Sequence, residues 1–269
     1  MVYKTILLSL IAFALYGQIM LNPNRATTLG GVGGGGGGIP TIVYTDSVTN
    51  YSWYVVGDSA LVTVYHWASI QANDLILILL SDEDGVPNWS VGSNVSESGW
   101  EIFFTGGANN TIGIGGFYKV ATGSEADSFY VTSPKGALAG YEQIGYYVVI
   151  RGADTTTPLD SVGVVIYQAD NQDSCAVTQI LTQANNCLVI AFATSDGSDA
   201  GYWGGQVIDG TAGWTMWSWA APRENSNALG CMFAYKEQAS IGETGYCDFK
   251  MTSFASRWGG IMFSVKGAE

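Results

Sequence analysis

One series of short apolar runs occurs twice in this chain, in the same order. QANDLILILLSDEDG at 71–85 returns as QANNCLVIAFATSDG at 183–197, with Gln-Ala-Asn and Asp-Gly in register. Gly99-Trp100 before EIFFT returns as Gly213-Trp214 before TMWSW, and Tyr118-Lys119 returns as Tyr235-Lys236. FYVT (129–132) returns as FKMT (249–252), and YYVVIRG (146–152) as MFSVKG (262–267). The offset between copies drifts from 112 to 120 and back to 115, which places the length differences in loops. A duplicated unit either builds two domains or lets two halves cover one another.

The runs themselves are strands. TIVYT, LVTVYHW, DLILILL, WEIFFT, IGIGGFYKV, SFYVT and IGYYVVIRG are alternating or wholly apolar, each is bounded by Gly, Asn, Asp or Ser, and no stretch sustains a helical period. Composition agrees: 36 glycines, 13% aromatic and only 12% charged residues describe a turn-rich β protein, and 47% hydrophobic content supplies a core. LILILL and CLVIAF carry no polar alternation, so both faces of those strands need cover. Pairing the halves into two packed sheets provides it and removes open edges. The expected fold is therefore all-β, a jelly-roll-like antiparallel β-sandwich with internal duplication, over residues 39–269. Its repeats span about 44–152 and 161–267.

Two segments precede that body. Residues 1–29 begin with one lysine and then run apolar from Ile6 to Leu15 and on to Leu21, with Ala12 and Ala14 at a signal-like position. Gln18 interrupts the run, which is short for a membrane span. The segment is read as an uncleaved N-terminal anchor that resembles a secretory signal. Residues 30–38 hold eight glycines in nine positions, a flexible spacer between anchor and body. The tract matches GxGxxG trivially, but no strand precedes it and no helix pattern follows, which removes a dinucleotide reading.

The order ANDLILILLSDEDG, SGWEIFF, GGFYKVATGSEADSFYVT, YYVVIRGADTTTPLD resembles a family of β-sandwich proteins of tailed bacteriophages and prophages. An opening GDLLV strand, a Gly-Trp segment, a YYKVA-G-SE strand and turn, and a YRGV-TTTP-D segment recur there. The resemblance runs from about Asn73 to Gly267, is denser in the first copy, and rests on scaffold motifs. It implies a non-enzymatic virion component: a decoration, fibre or spike on the virion surface, attached to other virion subunits through residues 1–29 and homo-oligomeric. The alternatives are a secreted carbohydrate-binding module and a subunit of an extracellular filament.

Candidate chemistry is sparse, and no cofactor is expected. A net charge of −13 with ten scattered Lys and Arg opposes nucleic-acid binding. Asp82 and Asp84 in SDEDG, and Asp196 and Asp199 in SDGSD, are hard oxygen ligands on loops and the only calcium candidates, without EF-hand spacing. His66, the single histidine, reads as a surface or half-buried strand residue beside Tyr65 and Trp67, and no GxSxG elbow accompanies it. Glu101 and Glu125 lack the alternating carboxylates of sandwich glycanases. Trp203, Tyr202 and Trp89 are the candidates for an exposed platform stacking on a host-surface glycan, while Trp100 and Trp214 read as core. Cys175, Cys187, Cys231 and Cys247 contain no CxxC pair; they are buried thiols or two disulfides, with Cys231 facing Cys247 in the second case.

Overall fold

The computed structural model describes residues 37–51, 61–66, 69–83, 95–108, 112–132, 142–172, 174–196, 203–208, 213–220, 229–251 and 256–269. Every regular element among them is a strand. The anchor and the tract as far as residue 36 lie outside them.

The first repeat contains β1 (Thr41–Tyr51), β2 (Leu61–Tyr65), β3 (Leu75–Glu83), β4 (Glu101–Ala108), β5 (Ile112–Val120), β6 (Ser128–Thr132) and β7 (Glu142–Arg151). Its antiparallel pairings are nested, with β3 on β5, β2 on β6 and β1 on β7. That nesting is a long hairpin rolled on itself, the winding of a jelly roll. Rolling divides it into a larger sheet, β1-β7-β3-β5-β4, and a smaller one, β2-β6, which is extended by a bridge from Val95 to Val131.

The second repeat winds the same way. It contains β8 (Leu159–Val162), β9 (Ile166–Gln172), β10 (Ser174–Val177), β11 (Leu181–Thr182), β12 (Cys187–Asp196), β13 (Trp203–Ile208), β14 (Thr215–Ala220), β15 (Leu229–Gln238), β16 (Gly242–Glu243), β17 (Cys247–Met251) and β18 (Ser256–Lys266). The larger sheet runs β14-β15-β12-β18-β8, with β9 also on β18, and the smaller runs β10-β17-β13. Register repeats too. Glu101 pairs with Tyr118 and Thr215 with Tyr235, each directly after its Gly-Trp, and a bulge follows one residue later in both. One detail of the sequence alignment is corrected. Asn73 (φ 74°) and Asn186 (φ 57°) are the left-handed turn residues, so Asn73 matches Asn186 and not Asn185. A slip of one residue exchanges the two faces of a strand, and only this match keeps Leu75, Leu77 and Leu79 on the same face as Leu188, Ile190 and Phe192.

Those faces build a central core between the two larger sheets, which also receives Tyr146, Val148, Ile150, Phe233 and Phe263. Equivalent positions meet across it: the hydroxyls of Ser81 and Thr194 are hydrogen-bonded at 2.6 Å. The turns ending β7 and β18 also exchange backbone bonds, through Asp154 N to Lys266 O and Ala268 N to Gly152 O. The opposite faces do not rely on the partner repeat. Ile76, Ile78 and Leu80 lie under β2 and β6 with Phe129 and Val131, and Val189, Ala191 and Ala193 lie under β10 and β17 with Cys175 and Phe249. The expectation that the halves alone cover each other is thus met on one face only; each repeat brings its own lid sheet, giving four layers.

Asp74, Arg151 and Asp154, from the recurring motifs of the first repeat, make bonds of this scaffold. Arg151 grips Asp74 with two charge-assisted bonds of 2.9 and 2.8 Å, joining the end of β7 to the start of β3. Asp154 accepts from the backbone of Thr156 and Thr157, both at 2.8 Å, and Lys266 reaches it at 3.1 Å. The last two glycines of the tract are held against the second repeat, where Asn186 donates to the Gly37 carbonyl at 2.5 Å.

Candidate functional site

The first repeat carries charge in its interior. His66 follows β2 directly and turns its ring inward against Phe129, with ring centroids 5.0 Å apart. The residue is half-buried, as one of the two expected placements had it, with its side chain 5% exposed. Nδ1 lies 2.8 Å from the Tyr147 hydroxyl on β7, and Nε2 lies 3.1 and 3.3 Å from the Glu97 carboxylate. A carboxylate only accepts, so Nε2 carries the proton in either charge state.

Glu97 is the hub of the arrangement. Besides His66 it receives Trp100 Nε1 at 2.9 Å and the Lys119 ammonium at 3.0 Å. Burial alone would raise its carboxyl pKa; the Trp100 and Lys119 hydrogen bonds and the charges of His66 and Lys119 outweigh that and hold it below the ordinary value. Lys119 also stands 3.8 Å from Glu125. Burial pushes the Glu125 carboxyl up, but bonds from the backbone and hydroxyl of Thr122, its own backbone N–H and that of Gly123 bring it below the usual range. Glu125 thus ties down the turn after β5, which accounts for the GSE motif as a structural device.

Each partner comes from a different element. His66 and Glu97 belong to the lid layer; Lys119 and Tyr147 belong to the larger sheet; Trp100 introduces β4. The node therefore bolts the lid to the sheet. Tyr147, whose hydroxyl faces His66, is 1% exposed. The chemistry of the node is proton binding and charge compensation.

The other sequence candidates are placed as follows. Asp82 is not on a solvent loop but inside the end of β3, 4% exposed, where it accepts from Gln143 Nε2 at 3.1 Å. Asp196 ends β12, with its side chain outside the described set; Asp84 and Asp199 lie outside the described residues. No group of three metal-ligating side chains occurs among the described residues. Trp89 and Tyr202 also lie outside, and Trp203 begins β13 without a described side chain. Trp100 is buried; Trp214 is half-buried, under Lys236 at 5.0 Å. Glu101 is exposed and accepts from Tyr118 at 2.5 Å; burial, then this bond and the Glu101 charge, push the phenol up to about 12.

All four cysteines are free and buried. Cys231 faces the central core and Cys247 lies behind β12, in a different layer, so the facing pair expected for a disulfide does not exist. Glu97 and the role of Lys119 were missed in sequence, because nothing in VSESGW marks a residue with partners on two distant elements, His66 after β2 and Lys119 on β5. Comparison with protein-family models, curated proteins and solved structures returns no match for the chain.

Proposed function

We propose that this chain is a non-enzymatic structural subunit of a bacteriophage particle, a surface decoration, fibre or spike that presents the duplicated roll outward and attaches through residues 1–29. One observation carries the reading: two rolled repeats are locked together through equivalent residues, and their motif carboxylates serve internal bonds. Rolled sandwiches of this winding serve viral capsids and lectins, and that fold-level analogy supports a role in assembly or recognition. The glycine tract suits a spacer between particle and body.

Purified particles from the source culture, banded on a density gradient and digested for mass spectrometry, test it. The chain is expected in the particle band in fixed ratio to the other subunits. Recovery only in the free soluble fraction overturns the reading.

A second reading, glycan binding, is favoured by one specific contrast. On the outer face of β2 and β6, Tyr65 is 72% and Tyr130 45% exposed, on diagonal positions of the pair. The matching positions in the second repeat are Ala176 and Lys250. The scaffold does not require these rings, and tyrosine is suited to stacking on a sugar. Binding to a glycan array that Tyr65→Ala abolishes would replace the first reading with this one.

A further inference from the structure

We propose that the His66–Glu97–Lys119 node is an acid-operated latch that releases the lid of the first repeat while the second repeat stays closed. The argument starts from what the node joins. Glu97 and His66 sit on the lid, beside Val95 and β2, and their partners Lys119 and Tyr147 sit on β5 and β7 of the larger sheet. Among the described residues the ionic part of this attachment passes through one carboxylate. Glu97 answers three donors, from His66, Trp100 and Lys119.

A proton on Glu97 converts one acceptor oxygen into a donor and removes the negative charge that lies between His66 and Lys119. The Lys119 ammonium then loses its nearest counter-charge in a site with little water, where an uncompensated charge is weakly screened. The groups facing the node are His66 after β2, Glu97 on the lid, Lys119 on β5, Glu125 in the turn beyond it, and Tyr147 on β7. Tyr44 of β1 stands edge-on to Tyr147 at 6.2 Å and gives its hydroxyl to Asp46. Among the described residues Glu125 is the remaining compensating carboxylate, at 3.8 Å from Lys119, and its own bonds to Thr122 and Gly123 depend on its charge. Acid therefore weakens both counter-ions together.

The second repeat has the same lid and a different interior. The position of His66 holds Val177 and that of Tyr147 holds Met262, both in the apolar cluster behind β12. Three residues before the Gly-Trp tryptophan, Glu97 is replaced in sequence by Thr211. Lys236, the counterpart of Lys119, gives its ammonium to the Thr244 carbonyl, which has no proton to gain. Lys119 meets a carboxylate where Lys236 meets a carbonyl, so the second lid serves as the comparison.

Hydrogen–deuterium exchange of the full chain between about pH 7 and about pH 3, corrected for intrinsic exchange rates, reads both lids at once. Acid is expected to lower protection in β2 and β6 by at least about tenfold more than in β10 and β17. Glu97→Gln is expected to show low protection of β2 and β6 already at neutral pH, with little further change in acid. Equal loss in both lids, unchanged protection of β2 and β6 in acid, or a Glu97→Gln chain with the wild-type pH profile each overturns the proposal. Should Glu97→Gln not fold, the wild-type profile of the two lids decides alone.

Discussion

The two repeats share strand order, register and bulge, yet they fill the space beneath their lids in opposite ways. The first places His66, Glu97, Lys119 and Tyr147 there; the second places Cys175, Val177, Cys247 and Met262. The winding therefore does not dictate what is buried, only that the space is filled. A polar interior requires long-range partners in fixed geometry, and an apolar one requires only volume. The same freedom appears in the central core. Phe104 pairs with Gly116 in the first repeat, and Ser218 pairs with Phe233 at the equivalent step in the second. The large and small members have changed strands.

That exchange gives the largest expected effect. A Cβ on Gly116 would sit 2.1 Å from the Phe104 ring, so Gly116→Phe alone should cost about 3 kcal/mol or more. Adding Phe104→Ser copies the arrangement of the second repeat and should recover most of it in urea melts. A double variant no better than the single would mean that the repeats are not interchangeable at this step.

A second contrast uses the equivalent glycines of β7 and β18. A Cβ on Gly145 would lie 2.0 Å from the Leu79 carbonyl oxygen, whereas one on Gly260 would meet Val177 at 2.9 Å and Cys175 at 3.2 Å. Backbone yields less than side-chain tips. Gly145→Ala should thus cost about 3 kcal/mol and Gly260→Ala about 1 kcal/mol, and thermal melts showing the reverse order would break the comparison.

Glu97→Gln should cost about 2 kcal/mol at neutral pH, because Lys119 and His66 lose their shared carboxylate. The acid side has a definite sign. The folded pKa values of Glu97 and Glu125 are depressed, so their stabilisation is present above the unfolded value near 4.3 and is lost as pH falls through the folded values. Melting temperature should decline below about pH 4, and in Glu97→Gln that decline should be shallower.

Alkali should select the other repeat, with a smaller effect at moderate pH. All four thiols lie there; burial pushes Cys175 and Cys231 well up, and burial, the Asp160 charge and its hydrogen bond push Cys187 up to about 12. A raised folded pKa gives stability that is present below the unfolded value near 8.5 and is lost as pH rises towards the folded one, by about 1.4 kcal/mol per pH unit for each of Cys175, Cys187 and Cys231. Exchange at about pH 10 should loosen β10 and β17 before β2 and β6. Loss in the first repeat ahead of the second would contradict this assignment.

Much of the fold was legible because it rests on local pattern. SFYVT and IGIGGFYKV are strands over their whole quoted length, and LILILL is buried on both faces as its lack of alternation required. The repeat was legible for the same reason, apart from the one-residue slip at Asn73 and Asn186, where identical letters in a turn outweighed the faces of the strand that follows.

The sequence by itself determined the class of fold, the duplication, and the net charge of −13, since each follows from residue identity and spacing along the chain. Tertiary structure decided that each repeat carries its own lid, that Asp82 is buried and bonded to Gln143, and that the single histidine is a bolt. His66 meets Glu97 31 residues away and Tyr147 81 residues away. No local pattern encodes such a meeting; it exists only once the hairpin has rolled and β2 lies over β7. The charge of Glu97 then has a meaning that the letters around it did not carry.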